Sequence, residues 1–373
     1  MKDLLKKGSQ YFGAILALSI SCNGAAFAQS DIETLIEQTG IEANDVAMRD
    51  LPNWHAPKKI LVYGGFDIDD DLQGIVPGIR FIQATSESDA IAKAVDVDAI
   101  IGRCSNNLVN AAPRATWVQV TSAGVERCMT TERITNGDVI LSNMQKMSSP
   151  VIAEHVIAMT LALARNLPQL INVMESGQWA KGRGQATVGM QSVGGKTMLV
   201  VGLGGIGTEV ARRAAALDMR VLGTRRSSHE GPDFVEYVGL SDELHKLAAE
   251  ADFIVNALPI TPETTGIYDS KFFAAAKPGA YFINVGRGKS VVTDELVAAL
   301  RSGQIAGAGL DVTDPEPLPA EHPLWQMNNV IITPHVAGNG SNRNRHMLVL
   351  RENLRRFLAG DALLNVVDPE LGY

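Results

Sequence analysis

Thr197-Met-Leu-Val-Val201, Gly202-Leu-Gly-Gly-Ile-Gly207, the amphipathic run Thr208 to Leu217 and Arg220-Val-Leu-Gly-Thr224 follow one another with only Asp218 and Met219 between the last two. Five apolar or β-branched residues ending in a glycine turn read as a buried strand, and the segment after the turn carries helical periodicity before a second strand begins. The turn has the G-x-G-x-x-G spacing in the strand, helix, strand context that a dinucleotide requires. Gly202 permits the tight turn, Gly204 lets the backbone approach a pyrophosphate, and Gly207 lets the helix pack closely on the strand with its N-terminus toward the anion. Gly202, Gly204, Gly205, Ile206 and Gly207 are therefore candidate cofactor contacts.

The end of the second strand discriminates between cofactors. A carboxylate there would accept from the ribose hydroxyls of NAD, whereas this chain has Arg225 and Arg226. Two guanidiniums suit a 2'-phosphate, so NADP(H) is the expected cofactor, with NAD(H) as the alternative.

Outward from this unit the α/β rhythm continues in both directions. Upstream, Lys59 to Tyr63, Val97 to Gly102 and Trp117 to Thr121 read as buried strands, with helical segments at Ser88 to Val95 and Leu108 to Ala112. Pro150 opens a long apolar stretch, Val151 to Asn166, that reads as a buried helix at a domain or subunit boundary. His155 on it reads as a packed or hinge-bonded histidine. Downstream, a last polar, Arg-rich helix is expected over Asn342 to Leu358.

Four further motifs place polar residues just after apolar strand-like runs, where open parallel sheets hold their ligands. They are Ala257-Leu-Pro-Ile-Thr-Pro-Glu-Thr264, Phe282-Ile-Asn-Val-Gly-Arg-Gly288, Leu310-Asp-Val-Thr-Asp-Pro-Glu-Pro317 and Ile332-Thr-Pro-His-Val-Ala-Gly338. The set resembles the D-isomer-specific 2-hydroxyacid dehydrogenases, and the reduction of a 2-oxo acid that this resemblance implies needs a cation for the carboxylate and ketone, an acid for the developing alkoxide, and a carboxylate beside that acid. Arg287, His335 and Glu316 are the candidates for these three roles.

In order and spacing the resemblance runs over about Lys58 to Asn365. The resemblance implies two Rossmann-like, doubly wound parallel-sheet α/β domains with the nucleotide-binding domain inserted into the substrate-binding one. The expected bounds are 29–150 and 335–373 for the substrate-binding domain and 151–334 for the nucleotide-binding domain. It implies that Asp311 holds the nicotinamide carboxamide, and that Leu258, Pro259, Thr264 and Val285 line the cofactor cleft. It further implies that the N–H groups of Ala123 and Gly124 bind the substrate carboxylate, with Arg103 as a further substrate contact. Glyoxylate- or hydroxypyruvate-like substrates and a homodimer are expected on the same basis. Three positions depart from the family pattern: Val292 stands where an Asp is usual, Gly205 where Arg is frequent, and Arg225 where Asp is usual. Glu316, where the formate-oxidising branch has Gln, disfavours that branch, while a phosphite-type dehydrogenase would share the Arg, Glu and His.

Composition limits the remaining classes. With 41 acidic and 33 basic side chains in 373 residues and a net charge of -8, no basic field exists to hold a nucleic acid. The three cysteines and seven histidines show no metal-ligand spacing, so no metal site is expected. Cys104 and Cys128 could pair in an oxidising compartment, a matter of distance that spacing leaves open. Residues 1–28 have the pattern of a secretory signal peptide: Lys2, Lys6 and Lys7, an apolar run from Tyr11 to Ile20, and Ala26-Phe-Ala28. Cleavage after Ala28 would give an exported, periplasmic protein without stable membrane insertion; an inefficient signal or a true start at Met48 would leave it cytoplasmic. Export sets up a second reading, a non-catalytic ligand-binding protein that keeps the fold, because free nicotinamide nucleotide is scarce outside the cytoplasm.

Overall fold

The computed structural model describes residues 31–64, 76–175, 177, 189–340 and 343–370. The segment read as a signal peptide lies outside them. The chain divides into two compact units, Met1–Met147 with Asn342–Tyr373, and Ser148–Ser341. The second unit extends past position 334 because the backbone of His335, Val336 and Ala337 is bonded to Asp311 within it. Among the described residues no single helix is long and apolar enough to cross a membrane.

In the first unit, β1 (Lys59–Tyr63), β2 (Arg80–Ala84), β3 (Ala99–Gly102), β4 (Trp117–Val120) and β5 (Ile140–Ser142) form one parallel sheet in the order β2-β1-β3-β4-β5. The centre of β1, Ile60-Leu-Val62, and the pair Ile100-Ile101 of β3 are wholly apolar, as sheets covered on both faces require. One face packs on Leu108, Val109 and Ile134, the other on Val349, Leu350, Leu354 and Phe357 of the helix Arg343–Ala359. The return of this last helix is secured by a buried polar web. Asn353 donates to Gln119 at 2.9 Å and to the Leu364 carbonyl at 3.1 Å, while Ser142 donates to Gln119 and Trp117 to Ser142, both at 2.8 Å. A web with every member bonded fixes a single register, because any slip would leave a buried polar atom bare.

In the second unit seven parallel strands run β12-β11-β10-β9-β6-β7-β8. Their ranges are β6 (Thr197–Val201), β7 (Arg220–Thr224), β8 (Tyr237–Gly239), β9 (Phe253–Asn256), β10 (Ala280–Asn284), β11 (Ile305–Leu310) and β12 (Val330–Ile332). The chain winds outward from β6 through β7 and β8, then returns to the other side of β6 for β9 to β12. The order therefore reverses between β6 and β9, the crevice where such sheets bind ligands. The helix Ser149–Ala164 buries Ala153, Val156, Met159 and Leu163 against one face. Phe272, Phe273 and Phe282 with Tyr268 fill the other in edge-to-face contacts.

Candidate active site

At the switch point, Gly202 has φ 95° and its N–H donates to Thr224 Oγ1 at 3.1 Å. The helix Gly205–Ala215 begins there, three residues earlier than the periodicity indicated, because Gly204 caps it in extended conformation and the two glycines after it tolerate helical angles. A Cβ on Gly207 would run into the Gly202 carbonyl oxygen, whereas one on Gly204 would meet nothing within 4 Å. The turn is thus tight behind and open in front, with unpaired helix N–H groups toward the opening. Arg225, just past β7, has a buried Nε without a hydrogen-bond partner among the described residues. Thr261 and then the Glu263 backbone N–H hold the Glu263 carboxyl below its usual range, with a smaller contribution from the Arg226 charge. An anion-shaped cradle with an orphaned guanidinium nitrogen beside it fits a phosphorylated dinucleotide. Leu258 and Pro259 lie in the loop after β9, Thr264 closes that loop by donating to the Pro259 carbonyl at 2.7 Å, and Val285 is buried at the end of β10.

Arg287 stands at the end of β10, partly buried, its Nη1 donating to the Gly286 carbonyl at 2.8 Å. Its backbone is held by residues that the motif reading did not single out. Asn284 Nδ2 and Ser290 Oγ both donate to the Arg287 carbonyl, at 3.1 and 2.6 Å. Asn256 in turn donates to Asn284 Oδ1 at 2.9 Å and Ser290 Oγ at 2.7 Å, and its own oxygen accepts from the Tyr268 hydroxyl and the Leu258 N–H, both at 3.1 Å. Burial pushes the Tyr268 phenol well above its ordinary range, so it remains a donor. Gly288 abuts the Thr313 carbonyl so closely that no Cβ would fit, which seats the Arg287 turn against the segment leading to Glu316. The visible signal for Asn256 and Asn284 was an asparagine closing each of two apolar strands.

His335 Nδ1 bonds Glu316 Oε1 at 2.7 Å, with the two side chains 52% and 45% exposed. A carboxylate only accepts, so Nδ1 carries the hydrogen and Nε2 is the atom left to exchange a proton. His335 itself has φ 54° and donates its N–H to the Asp311 carbonyl at 2.8 Å. The Asp311 side chain, 4% exposed, holds the rest of this turn: Oδ1 accepts from Thr333 Oγ1 at 2.6 Å and Val336 N–H at 2.9 Å, and Oδ2 from Ala337 N–H at 3.1 Å. Asp311, implied as a cofactor contact, is thus also the anchor of the turn that carries His335.

The remaining candidates belong to the first unit. Arg103 follows β3, its N–H donating to the Tyr63 carbonyl at 2.8 Å. Beyond β4, Ser122 Oγ donates to the Gly124 carbonyl at 2.8 Å and Asn143 to that of Ala123 at 2.9 Å, while no described residue accepts from the Ala123 and Gly124 N–H groups. A disulfide joins Cys104 to Cys128 across a Cα separation of 5.6 Å, tying the segment after β3 to the one after β4.

Known proteins are similar to this chain in sequence and fold. The family model described as D-isomer specific 2-hydroxyacid dehydrogenase, NAD binding domain, matches residues 157–337. Glyoxylate/hydroxypyruvate reductase B of Salmonella schwarzengrund is 32% identical over 294 residues, which cover 78% of this chain and 88% of that protein. A D-isomer specific 2-hydroxyacid dehydrogenase from Xanthobacter autotrophicus Py2, solved in complex with NADPH and MES, is 30% identical with a TM-score of 0.73, covering 85% of this chain and 100% of that one. The NADPH-dependent glyoxylate/hydroxypyruvate reductase from Sinorhizobium meliloti, solved with NADP and sulfate, is 27% identical with a TM-score of 0.72 and the same two coverages.

Proposed function

We propose, from the premise that this chain belongs to the D-isomer-specific 2-hydroxyacid dehydrogenase family, that it is an NADP(H)-preferring reductase of small 2-oxo acids of the glyoxylate or hydroxypyruvate kind. The observation that carries the cofactor preference is the Arg225–Arg226 pair at the end of β7, with a buried, unpartnered Nε on Arg225 where an NAD-type site has a carboxylate. When bound, the nicotinamide supplies the hydride in reduction and takes it in oxidation. Gly202 to Gly207 and the helix they open bind its pyrophosphate, and Arg225 and Arg226 its 2'-phosphate.

Arg287 binds the substrate carboxylate and polarises the ketone through its planar fork. His335 delivers a proton from Nε2 to the carbonyl oxygen as negative charge builds there, and takes one back in the reverse direction. Glu316 fixes the imidazole's tautomer and orientation through Nδ1. In the first unit, Ala123, Gly124 and Arg103 are assigned as further donors to the substrate carboxylate. The family expectation of a homodimer and the export signal of residues 1–28 stand as parts of the same proposal.

Oxidation of NADPH and of NADH is followed with glyoxylate, hydroxypyruvate and pyruvate as acceptors. Turnover favouring NADPH is expected, Arg225→Asp shifts the preference toward NADH by about tenfold or more, and Arg287→Ala lowers kcat/KM by about a thousandfold. No oxidation of either nucleotide with any 2-oxo acid would sink the reading and favour a ligand-binding role.

A further inference from the structure

We propose that His155, on the helix Ser149–Ala164, is a positioning residue for proton transfer: through Thr333 it fixes the Asp311 carboxylate from which the His335 turn hangs. The proposal rests on the reading of His335 as the proton-exchanging group.

His155 Nε2 lies 3.0 Å from Thr333 Oγ1, and Thr333 Oγ1 lies 2.6 Å from Asp311 Oδ1. A threonine hydroxyl has one hydrogen, and the carboxylate can only accept it. Toward His155 the hydroxyl therefore offers a lone pair, so the imidazole carries its hydrogen on Nε2. The chain of donation has one direction, His155 to Thr333 to Asp311, and each bond polarises the next. His155 does not bond Asp311 itself, since Nε2 stands 3.9 Å from Oδ1.

Thr333 is held at both ends. Its side chain reaches Asp311, and its carbonyl accepts the His335 N–H at 3.0 Å, so the rotamer that His155 selects bears on the residue two places along. Asp311 Oδ1 is committed to this turn, whereas Oδ2 has only the Ala337 N–H at 3.1 Å among the described donors. That leaves Oδ2 able to accept from a bound carboxamide while Oδ1 keeps the turn in place. Without His155 the Thr333 hydroxyl can leave Asp311 for other staggered positions, and the carboxylate loses one of its bonds. A displacement of a fraction of an ångström at His335 weakens proton transfer without touching the groups that hold the substrate carboxylate.

The test compares His155→Phe, His155→Gln, Thr333→Val and the His155→Phe/Thr333→Val double variant with wild type. His155→Phe is expected to lower kcat about tenfold while KM for the 2-oxo acid stays within about twofold. Gln, which keeps an N–H donor near the Nε2 position, restores most of the loss, and the double variant is no slower than Thr333→Val alone. Independent of turnover, nitrogen-15 NMR of labelled histidines in the protein without nucleotide shows His155 bearing its proton on Nε2, with a resonance that moves in Thr333→Val. A wild-type kcat in His155→Phe, no advantage of Gln over Phe, additive losses in the double variant, or an Nδ1-protonated His155 would each overturn the proposal. His335→Ala separates the two layers: an inactive His335→Ala beside a fully active His155→Phe defeats the strut alone. An active His335→Ala defeats the proton-transfer reading and the strut with it.

Discussion

Asp98 and Asp311 are the same device at opposite edges of two parallel sheets. Asp98, 1% exposed, sits just before β3 and accepts from the Lys58 and Lys59 N–H groups at 2.7 and 2.9 Å, from His55 at 2.7 Å and from Arg114 at 2.9 Å. Asp311, 4% exposed, follows β11 and accepts from Thr333, Val336 and Ala337. Each buried carboxylate gathers backbone N–H groups from a segment distant in sequence. The first lies at the edge where strands begin, so it clips β1 to β3 and serves stability. The second lies at the edge where strands end, where parallel sheets bind ligands, so it holds the turn of His335, the proposed proton donor. Burial and hydrogen bonding alone do not separate the two roles; the edge of the sheet does.

The contrast is broken most severely by Asp311→Ala, which should cut kcat/KM by about a thousandfold through loss of the His335 turn while the rest of the unit stays folded. Steady-state kinetics beside circular dichroism would check it, and activity near wild type would remove Asp311 from the site. A smaller effect is expected at the Arg287 turn, which is pinned by neutral amides and a hydroxyl instead of a carboxylate. Ser290→Ala takes away one of the two side-chain bonds to the Arg287 carbonyl, and kcat/KM should fall about tenfold. An unchanged value would mean that Asn284 suffices.

Asp98→Asn should leave kcat/KM of the folded protein unaltered and cost about 2 kcal/mol of stability in denaturant titrations. Its acid dependence gives the sign. Burial alone would push the Asp98 carboxyl up, but the Lys58 N–H, His55, the Lys59 N–H and Arg114 outweigh it and hold the group down at about 2. A folded-state value below the unfolded one stabilises above the ordinary carboxylate range, and that contribution disappears as pH falls through about 2. The wild-type advantage over Asp98→Asn should therefore shrink on acidification from pH 4 to about pH 2; an advantage that grew instead would contradict the ion-pair account.

Much of this was legible beforehand. β1, β6 and β7 have the bounds that their apolar runs indicated, because a strand buried on both faces is written as uninterrupted Val, Leu and Ile. The glycine turn was legible for a similar reason: its backbone geometry tolerates no side chain at Gly207, and that demand shows as a glycine. The supports were harder to see. Nothing local in Asn256 or His155 tells which distant partner each will find, since the groups to which Asn256 donates lie 28 and 34 residues away and the partner of His155 lies 178 away. Cys104 and Cys128 posed the same problem, and only the 5.6 Å Cα separation answers it.

By itself, then, the sequence determined which strands are buried, where the glycine turn lies and which candidate side chains follow the strands, because each is imposed by local sterics, periodicity or chemistry. The tertiary structure alone decided which neutral and charged groups hold those side chains in place. A hydrogen bond between distant residues depends on where the sheet carries them, and no local pattern records that.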